Sequence, residues 1–475
     1  MPSLPLLLLS AVVFVAYLLL RRQTPQLPRL SLIAALATSW RHSTTEEELR
    51  EQHKVLGTTF SYQALLQKRR IITVDPLALH YVLSKKSFNY PKSSKAKAIL
   101  TFQFGDGFIL HDHASHYFKR RAAAAMMTQQ AVETMSSDMH RAALELVEDM
   151  EKSIQNDALV NVFDICGAGV TRAVLRCLFR TDGREEAISP RDTFSRISSL
   201  CRQVWQNPLA AAQMFVSIPC IRACGKTGKH RSAVHETISR IRMAHQDSDD
   251  HKNMIHELAP HCSSPNEEVK EAVLVLAGAT DSTASTMSFL LYELAKDSET
   301  TDRLYSIAQE GEASWTRHPF VIAVVKEALR LHSAIPYTER VCLSDDLIPL
   351  SKPYTIDERS VSAIAIKRGD ILGISWDLIN TSSQLWGEDS TSFRPQRWLT
   401  GNRAHVSFGI GRDACIGSRF ANALLTIILY HIVMRCRVER NEGLRITWSS
   451  NIVRRPSVFG STLSFAEMPL CISSR

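Results

Sequence analysis

The sequence predicts a mainly α-helical protein with a smaller β region, preceded by an N-terminal transmembrane helix. Three observations predict it. A capped, nearly all-apolar helix runs from about Ser264 to Lys296, short strand-like runs gather near Phe60–Leu83 and Arg340–Ile374, and an apolar stretch, Leu4–Leu20, opens the chain. At 475 residues the chain can bury a large core, and 45% hydrophobic with 22% charged residues excludes a disordered chain. The net charge of +8 is scattered, with no basic run and no aromatic-interleaved basic patch, so no nucleic-acid partner is expected. None of the ten cysteines forms a C-x-x-C pair, which excludes the usual zinc and dithiol redox sites and suits reduced thiols.

Leu4–Leu20 is interrupted only by Pro5, Ser10 and Tyr17 and is followed by Arg21-Arg22. As a helix it would span about 26 Å, at the short end for a bilayer. A cleaved signal would need a charged start and a small-residue cleavage site, and both are missing. Residues 1–22 therefore read as a membrane anchor and 23–475 as one globular body, held in the cytosol by the two arginines. Gln23–Ser31, with Pro25 and Pro28, reads as a stiff linker. The sequon Asn380-Thr381-Ser382 would then face the cytosol.

Arg70–Val74 reads as a strand, closed by Asp75-Pro76 and followed by a helix over Leu77–Leu83. Ser93–Ile109 reads as a loop whose Phe102, Phe104 and Phe108 either roof an apolar pocket or simply pack beneath it. A helix follows from His116. There His116 and Arg120, four residues apart, share a face that could hold a carboxylate or be a solvated basic surface. Leu144–Ile154, Val160–Leu178 and Thr193–Gln206 read as helices, and Gly225–Asp250 as a loop leading into an exposed helix. Ser264-Pro265-Asn266-Glu267 is a helix start. Inside the helix it opens lies a polar island, Gly278, Thr280, Asp281, Ser282 and Thr283, where a core helix would avoid one unless the groups serve a purpose or bond back to their own helix. Pro319–Leu331 carries Glu327 and Arg330 at i and i+3. Arg454–Gly460 and Met468–Ile472 read as a terminal hairpin.

Phe408–Gly417 reads F-G-I-G-R-D-A-C-I-G and leads into a helix over Ser418–Val433. Its glycines permit a tight turn and close approach to a flat object, while the helix start favours a thiolate at Cys415. A lone thiolate so placed is a candidate axial ligand for haem iron, and a buried structural cysteine beside a glycine turn is the alternative.

Taken together, Phe408–Gly417, Glu327-x-x-Arg330 with Arg397, and the Gly278–Thr283 island resemble the cytochrome P-450 family of haem-thiolate monooxygenases, most closely its fungal members of specialised metabolism. The resemblance covers the whole chain. It implies the cytochrome P-450 fold, haem b as cofactor, and Cys415 as its axial thiolate within the loop begun by Phe408. It further implies His116, Arg120 and Arg340 at the haem propionates, and Asp281, Ser282 and Thr283 as candidate catalytic residues for proton delivery. Glu327, Arg330 and Arg397 would form a buried ion-pair network under the loop. Phe102, Phe104, Ile109, Trp205, Ala277, Ala334, Ile335, Val458 and Phe459 would line a pocket. Two departures stand out: Asp413 occupies a position where the family carries arginine or histidine, and Ser282 replaces the usual threonine.

The resemblance implies a monooxygenase acting on a lipophilic small molecule, for example a terpenoid, in fungal secondary metabolism. No flavin or nicotinamide fingerprint occurs in the chain, so electrons would come from an NADPH-dependent flavoprotein reductase, with Lys119, Arg121 and Arg412 as candidate docking cations. The expected location is the endoplasmic reticulum membrane. The rival readings are a haem-thiolate isomerase or dehydratase and a non-catalytic haem-binding protein.

Overall fold

The computed structural model describes residues 46–63, 68–111, 114–154, 159–181, 189–203, 225–245, 253–356, 359–401, 404–450, 452–461 and 466–475. The expected anchor at residues 1–22 and Trp205 lie outside them. Among the described residues, no helix is long and apolar enough to cross a membrane.

In chain order the main elements are α1 (Glu46–Leu56), β1 (Thr59–Gln63), β2 (Arg69–Thr73), α2 (Ser94–Phe104), α3 (Ala114–Ala125), α4 (Ser136–Ile154), α5 (Val162–Phe179), α6 (Pro190–Gln203) and α7 (Gly225–Ala244). Next come α8 (Pro265–Ala295), α9 (Ser298–Ala308), α10 (Pro319–Leu331), β3 (Tyr337–Val341), β4 (Asp346–Ile356), β5 (Arg359–Ile366), β6 (Ile371–Ser375) and α11 (Trp376–Thr381). The chain closes with α12 (Ser418–Arg435), β7 (Cys436–Arg440), β8 (Ile446–Ser450), β9 (Arg454–Val458) and β10 (Pro469–Ser474). The mainly helical architecture with a smaller β region is as the sequence predicts.

These elements form two compact units. The smaller joins the described residues up to Ser93 with those of Tyr337–Ser382 and Gly409–Asp413. Its sheet has the order β1-β2-β6-β3, in which only β2 and β6 run parallel. Beside it stands the β4–β5 hairpin. Asp75 caps the short helix Pro76–His80 by accepting from Leu77 and Ala78 N–H groups, both at 3.0 Å. The sequon falls on the end of α11, where Asn380, Thr381 and Ser382 are all buried.

The larger unit, Ser94–Pro336, Ser383–Phe408 and Ala414–Arg475, is built around α8. Ser264 caps α8 through the Glu267 N–H at 3.3 Å, and Glu267 returns a bond to the Ser263 N–H at 2.6 Å. Apolar stripes such as Met139, Leu146 and Met150 of α4, Val170 and Val174 of α5, Leu276 and Met287 of α8 and Leu424 and Ile428 of α12 form one core.

Several local expectations fail. Ser94–Phe104 is a helix rather than a loop, consistent with the alanines, lysines and leucine of its sequence. Gly225–Ala244 is helical from its first residue. The terminal hairpin does not form: β9 pairs with β8, while β10 pairs with β7 and with Val160–Asn161. Cross-strand partners outside the two segments decided that pairing, and neither segment encodes it locally.

Candidate active site

Cys415 sits in the larger unit at the mouth of α12. Its N–H donates to the Phe408 carbonyl at 2.7 Å, which closes the loop, and Gly417 forms the helix start by accepting from the Ala421 N–H at 2.8 Å. The Cys415 side chain is exposed, yet the surrounding protein raises its thiol pKa by desolvation; a backbone hydrogen bond from Gly417 and the charge of Arg120 act in the opposite direction. The sulfur is thus accessible yet largely desolvated by the protein around it. The expected thiolate bias at the helix start is thus present but outweighed by burial. A bound cation would reverse that balance, because coordination deprotonates a thiol outright. At Gly411, with φ of 73°, an added Cβ would collide with the Leu83 carbonyl, so this turn of the loop requires glycine.

On α3, His116 and Arg120 do share a face. The Arg120 guanidinium donates to the Ala414 carbonyl, next to Cys415, and the His116 Nδ1 donates to the Phe108 carbonyl at 2.6 Å. That bond fixes the ring, so its Nε2 can donate to an anion only in the doubly protonated form. Lys119 is a different matter. It is 4% exposed and ion-paired with Glu267 and with Glu271, the latter at 2.7 Å, so it cannot serve as a docking cation. Its burial ties α3 to the first turns of α8. Arg121 is exposed.

The polar island of α8 splits between two faces. Gly278 is exposed, although it stands in a helix buried on both sides of it, and a Cβ there would meet nothing within 4 Å. Ser282, one turn on, shares that open face, and its hydroxyl donates to the Gly278 carbonyl at 2.7 Å. Thr280 also bonds back, to the Leu276 carbonyl at 2.9 Å. Thr283 is buried. Asp281 is fully buried and bound by Arg455, whose Nε lies 3.1 and 3.2 Å from its two oxygens and whose Nη2 lies 2.6 Å from Oδ2. Sequence reasoning missed Arg455. The signal was two adjacent arginines in an otherwise strand-like run, read there only as part of a hairpin.

Glu327, Arg330 and Arg397 meet as expected. Glu327 Oε1 accepts from Arg330 Nη2 and Arg397 Nε, both at 2.8 Å, while Oε2 accepts from Arg330 Nε and Trp398 Nε1, both at 2.9 Å. Burial raises the Glu327 carboxyl, but the hydrogen bonds and charge of Arg330 with those of Arg397 hold it below its ordinary value. From here contact passes through Trp398 to His405 and from His405 to Phe408, with ring centroids 5.8 Å apart at each step.

Burial and the charges of Lys326 and Arg330 lower the His405 pKa from 6.5 to about 4. The unfolded chain therefore takes up this proton first as pH falls. The stabilisation is complete above pH 6.5 and is lost towards pH 4, about 3 kcal/mol in all. His405→Phe should remove this share, so melting temperatures of variant and wild type should differ by an amount that changes over that window. A constant difference would refute the assignment.

Within the smaller unit, Arg340 is buried and its Nη2 lies 3.2 Å from Asp413 Oδ2, with Lys92 Nζ at 3.3 Å from the same oxygen. Burial raises the Asp413 carboxyl, but the charges of Lys92, Arg340 and Arg412 lower it overall to about 2. The departure at position 413 is thus satisfied by internal cations. The half-buried Arg412 lies over the Phe88 ring, 4.7 Å from its centroid.

Of the expected pocket residues, Phe102, Phe104 and Ala277 are buried, Ile109, Ala334 and Val458 half-buried, and Ile335 and Phe459 exposed. Phe459 lies under Arg445, 5.0 Å from its guanidinium carbon.

Comparison with known proteins shows the family. A sequence model of the cytochrome P-450 family matches residues 25–457. The chain is 24% identical over 463 residues to cytochrome P-450 monooxygenase claO of Ampulloclitocybe clavipes, covering 87% of this chain and 86% of that protein. It is 23% identical over 495 residues to cytochrome P-450 monooxygenase 205 of Postia placenta, covering 92% and 91%, and 22% identical over 473 residues to a ganoderic acid synthetase of Ganoderma lucidum, covering 85% of each. Haem b is the cofactor of this family. With its helical fold, its cysteine loop and a family match over most of its length, the chain belongs to the cytochrome P-450 monooxygenases.

Proposed function

We propose that the protein is a membrane-anchored monooxygenase in which Cys415 is the axial haem ligand, oxidising a lipophilic small molecule in fungal secondary metabolism, for example a terpenoid. The observation that carries it is the loop at Cys415, where an accessible sulfur, desolvated by the surrounding protein, stands next to a carbonyl that accepts from Arg120. The residues fit haem: an accessible cysteine sulfur in a glycine loop, a helix with open space at Gly278, and the cationic Arg120 beside the cysteine loop.

When bound, haem supplies the redox chemistry by which O₂, two electrons and two protons place one oxygen atom in the substrate and release the other as water. Cys415 would hold the iron. Arg120 and His116 would orient a propionate from α3, and Arg340 is the further candidate from β3. Ser282, on the open face of α8, holds a proton at its hydroxyl where water can relay it, and Asp281 beside it fixes the charge of that turn. Thr283, buried at the next position, is the further candidate to share that proton delivery. Phe408 supports the loop from the side of His405.

Electrons would come from an NADPH-dependent flavoprotein reductase, for which the exposed Arg121 is the remaining candidate contact on α3. Leu4–Leu20 would anchor the chain in the endoplasmic reticulum membrane with the body in the cytosol. The test is untargeted metabolite comparison in a host that supplies the reductase, with and without the protein. A new product dependent on O₂ and NADPH is expected. Turnover that needs neither would instead show a rearranging enzyme, and bound haem without any product would show a carrier.

A further inference from the structure

We propose that Arg455 is a positioning residue for the reaction, fixing through Asp281 the turn of α8 that presents Ser282. The inference rests on the monooxygenase reading above and goes beyond it.

Neighbouring residues on a helix are about 100° apart around its axis, whereas residues four apart share a face. Gly278 and Ser282 therefore line one narrow face, with open space at Gly278, and Asp281 and Ser285 line a second directly beside it. The start of β9 is fastened to this second face at both positions. The Arg455 guanidinium forks onto Asp281, and the Arg454 carbonyl accepts from the Ser285 hydroxyl. A bidentate fork on one turn and a hydroxyl bond on the next leave α8 little freedom to rotate there.

Arg455 is itself immobilised. Its Nη1 donates to the Ser198 carbonyl of α6 at 2.9 Å, the Arg454 N–H donates to the Ala334 carbonyl at 2.7 Å, and Arg454 Nη1 donates to the Leu331 carbonyl at 3.1 Å. Both members of the ion pair are buried, Asp281 at 0% and Arg455 at 4% exposure. A pair so enclosed is weak evidence for stability alone, but it fixes geometry. The angular setting of Ser282 on α8 is what it fixes here.

The test uses the haem-loaded protein, its reductase and NADPH, with no added substrate, so that no substrate need be known. Oxygen uptake, hydrogen peroxide released per NADPH and thermal unfolding are followed for Arg455→Met, Arg455→Lys, Asp281→Asn and the Met/Asn double variant. In Arg455→Met, oxygen uptake should fall about tenfold and the peroxide share rise, the order of effect of a displaced proton-transfer group. Arg455→Lys, a point charge without the fork, should recover part of the loss.

The double variant should match Asp281→Asn in uptake and melt above Arg455→Met, since it leaves no lone buried charge. Wild-type uptake and peroxide share in a folded Arg455→Met protein would overturn the proposal. So would a double variant slower than Asp281→Asn, because Arg455 would then act independently; this comparison decides the matter even if Arg455→Met fails to fold. Absence of any NADPH-driven oxygen uptake in the wild type would instead count against the monooxygenase reading, and the unfolding cycle would still report the coupling of the pair.

Discussion

Replacing Cys415 with serine is expected to abolish the reduced, carbon-monoxide-bound absorption typical of thiolate-ligated haem and, with it, all oxygen-dependent turnover. A hydroxyl is a far weaker acid than a thiol and cannot supply the soft anionic sulfur that such a centre requires. Serine is nearly isosteric, and the loop is closed by the backbone bond from position 415 to Phe408 rather than by the sulfur, so the variant should fold. Melting of the two apoproteins should agree closely. Survival of the thiolate band in Cys415→Ser would mean that another residue ligates iron, and the proposed site would be wrong.

The second large effect is expected at Glu327. Glu327→Ala removes the common acceptor of Arg330, Arg397, Trp398 and the Arg394 N–H, all donors to one fully buried carboxylate. Breaking a buried pair from one side costs about 3–5 kcal/mol, because the remaining charges lose their counter-ion without regaining water. A marginally stable domain does not absorb that loss easily. The expected result is little soluble haem-loaded protein and a markedly lower melting temperature, with Glu327→Gln intermediate. A Glu327→Ala protein that melts like wild type and retains haem would show that the network does not support the loop.

Much of this molecule was legible in order along the chain. The cap at Ser264, the proline that starts α10, and the glycines around Cys415 act within a few residues of themselves, so their composition states their structure. The Glu327-x-x-Arg330 pair was legible for the same reason, since i and i+3 residues on a helix must meet.

What escaped the sequence was long-range. Asp281 and Arg455 are 174 residues apart, and nothing local to either shows that the two charges neutralise each other. Lys119 reads as a surface cation until Glu267 and Glu271 of a distant helix enclose it. The two terminal strands each satisfied the local pattern for a hairpin, but their backbone groups found better-placed partners in β8 and β7.

By itself the sequence determined the helices, the turns, the cysteine loop and the family, because these follow from local periodicity, capping and spaced motifs. Only the tertiary structure decided which charges are buried, which partner each one takes, and that α8 is left open at Gly278. Those outcomes depend on desolvation and on segments that meet only when the chain is packed.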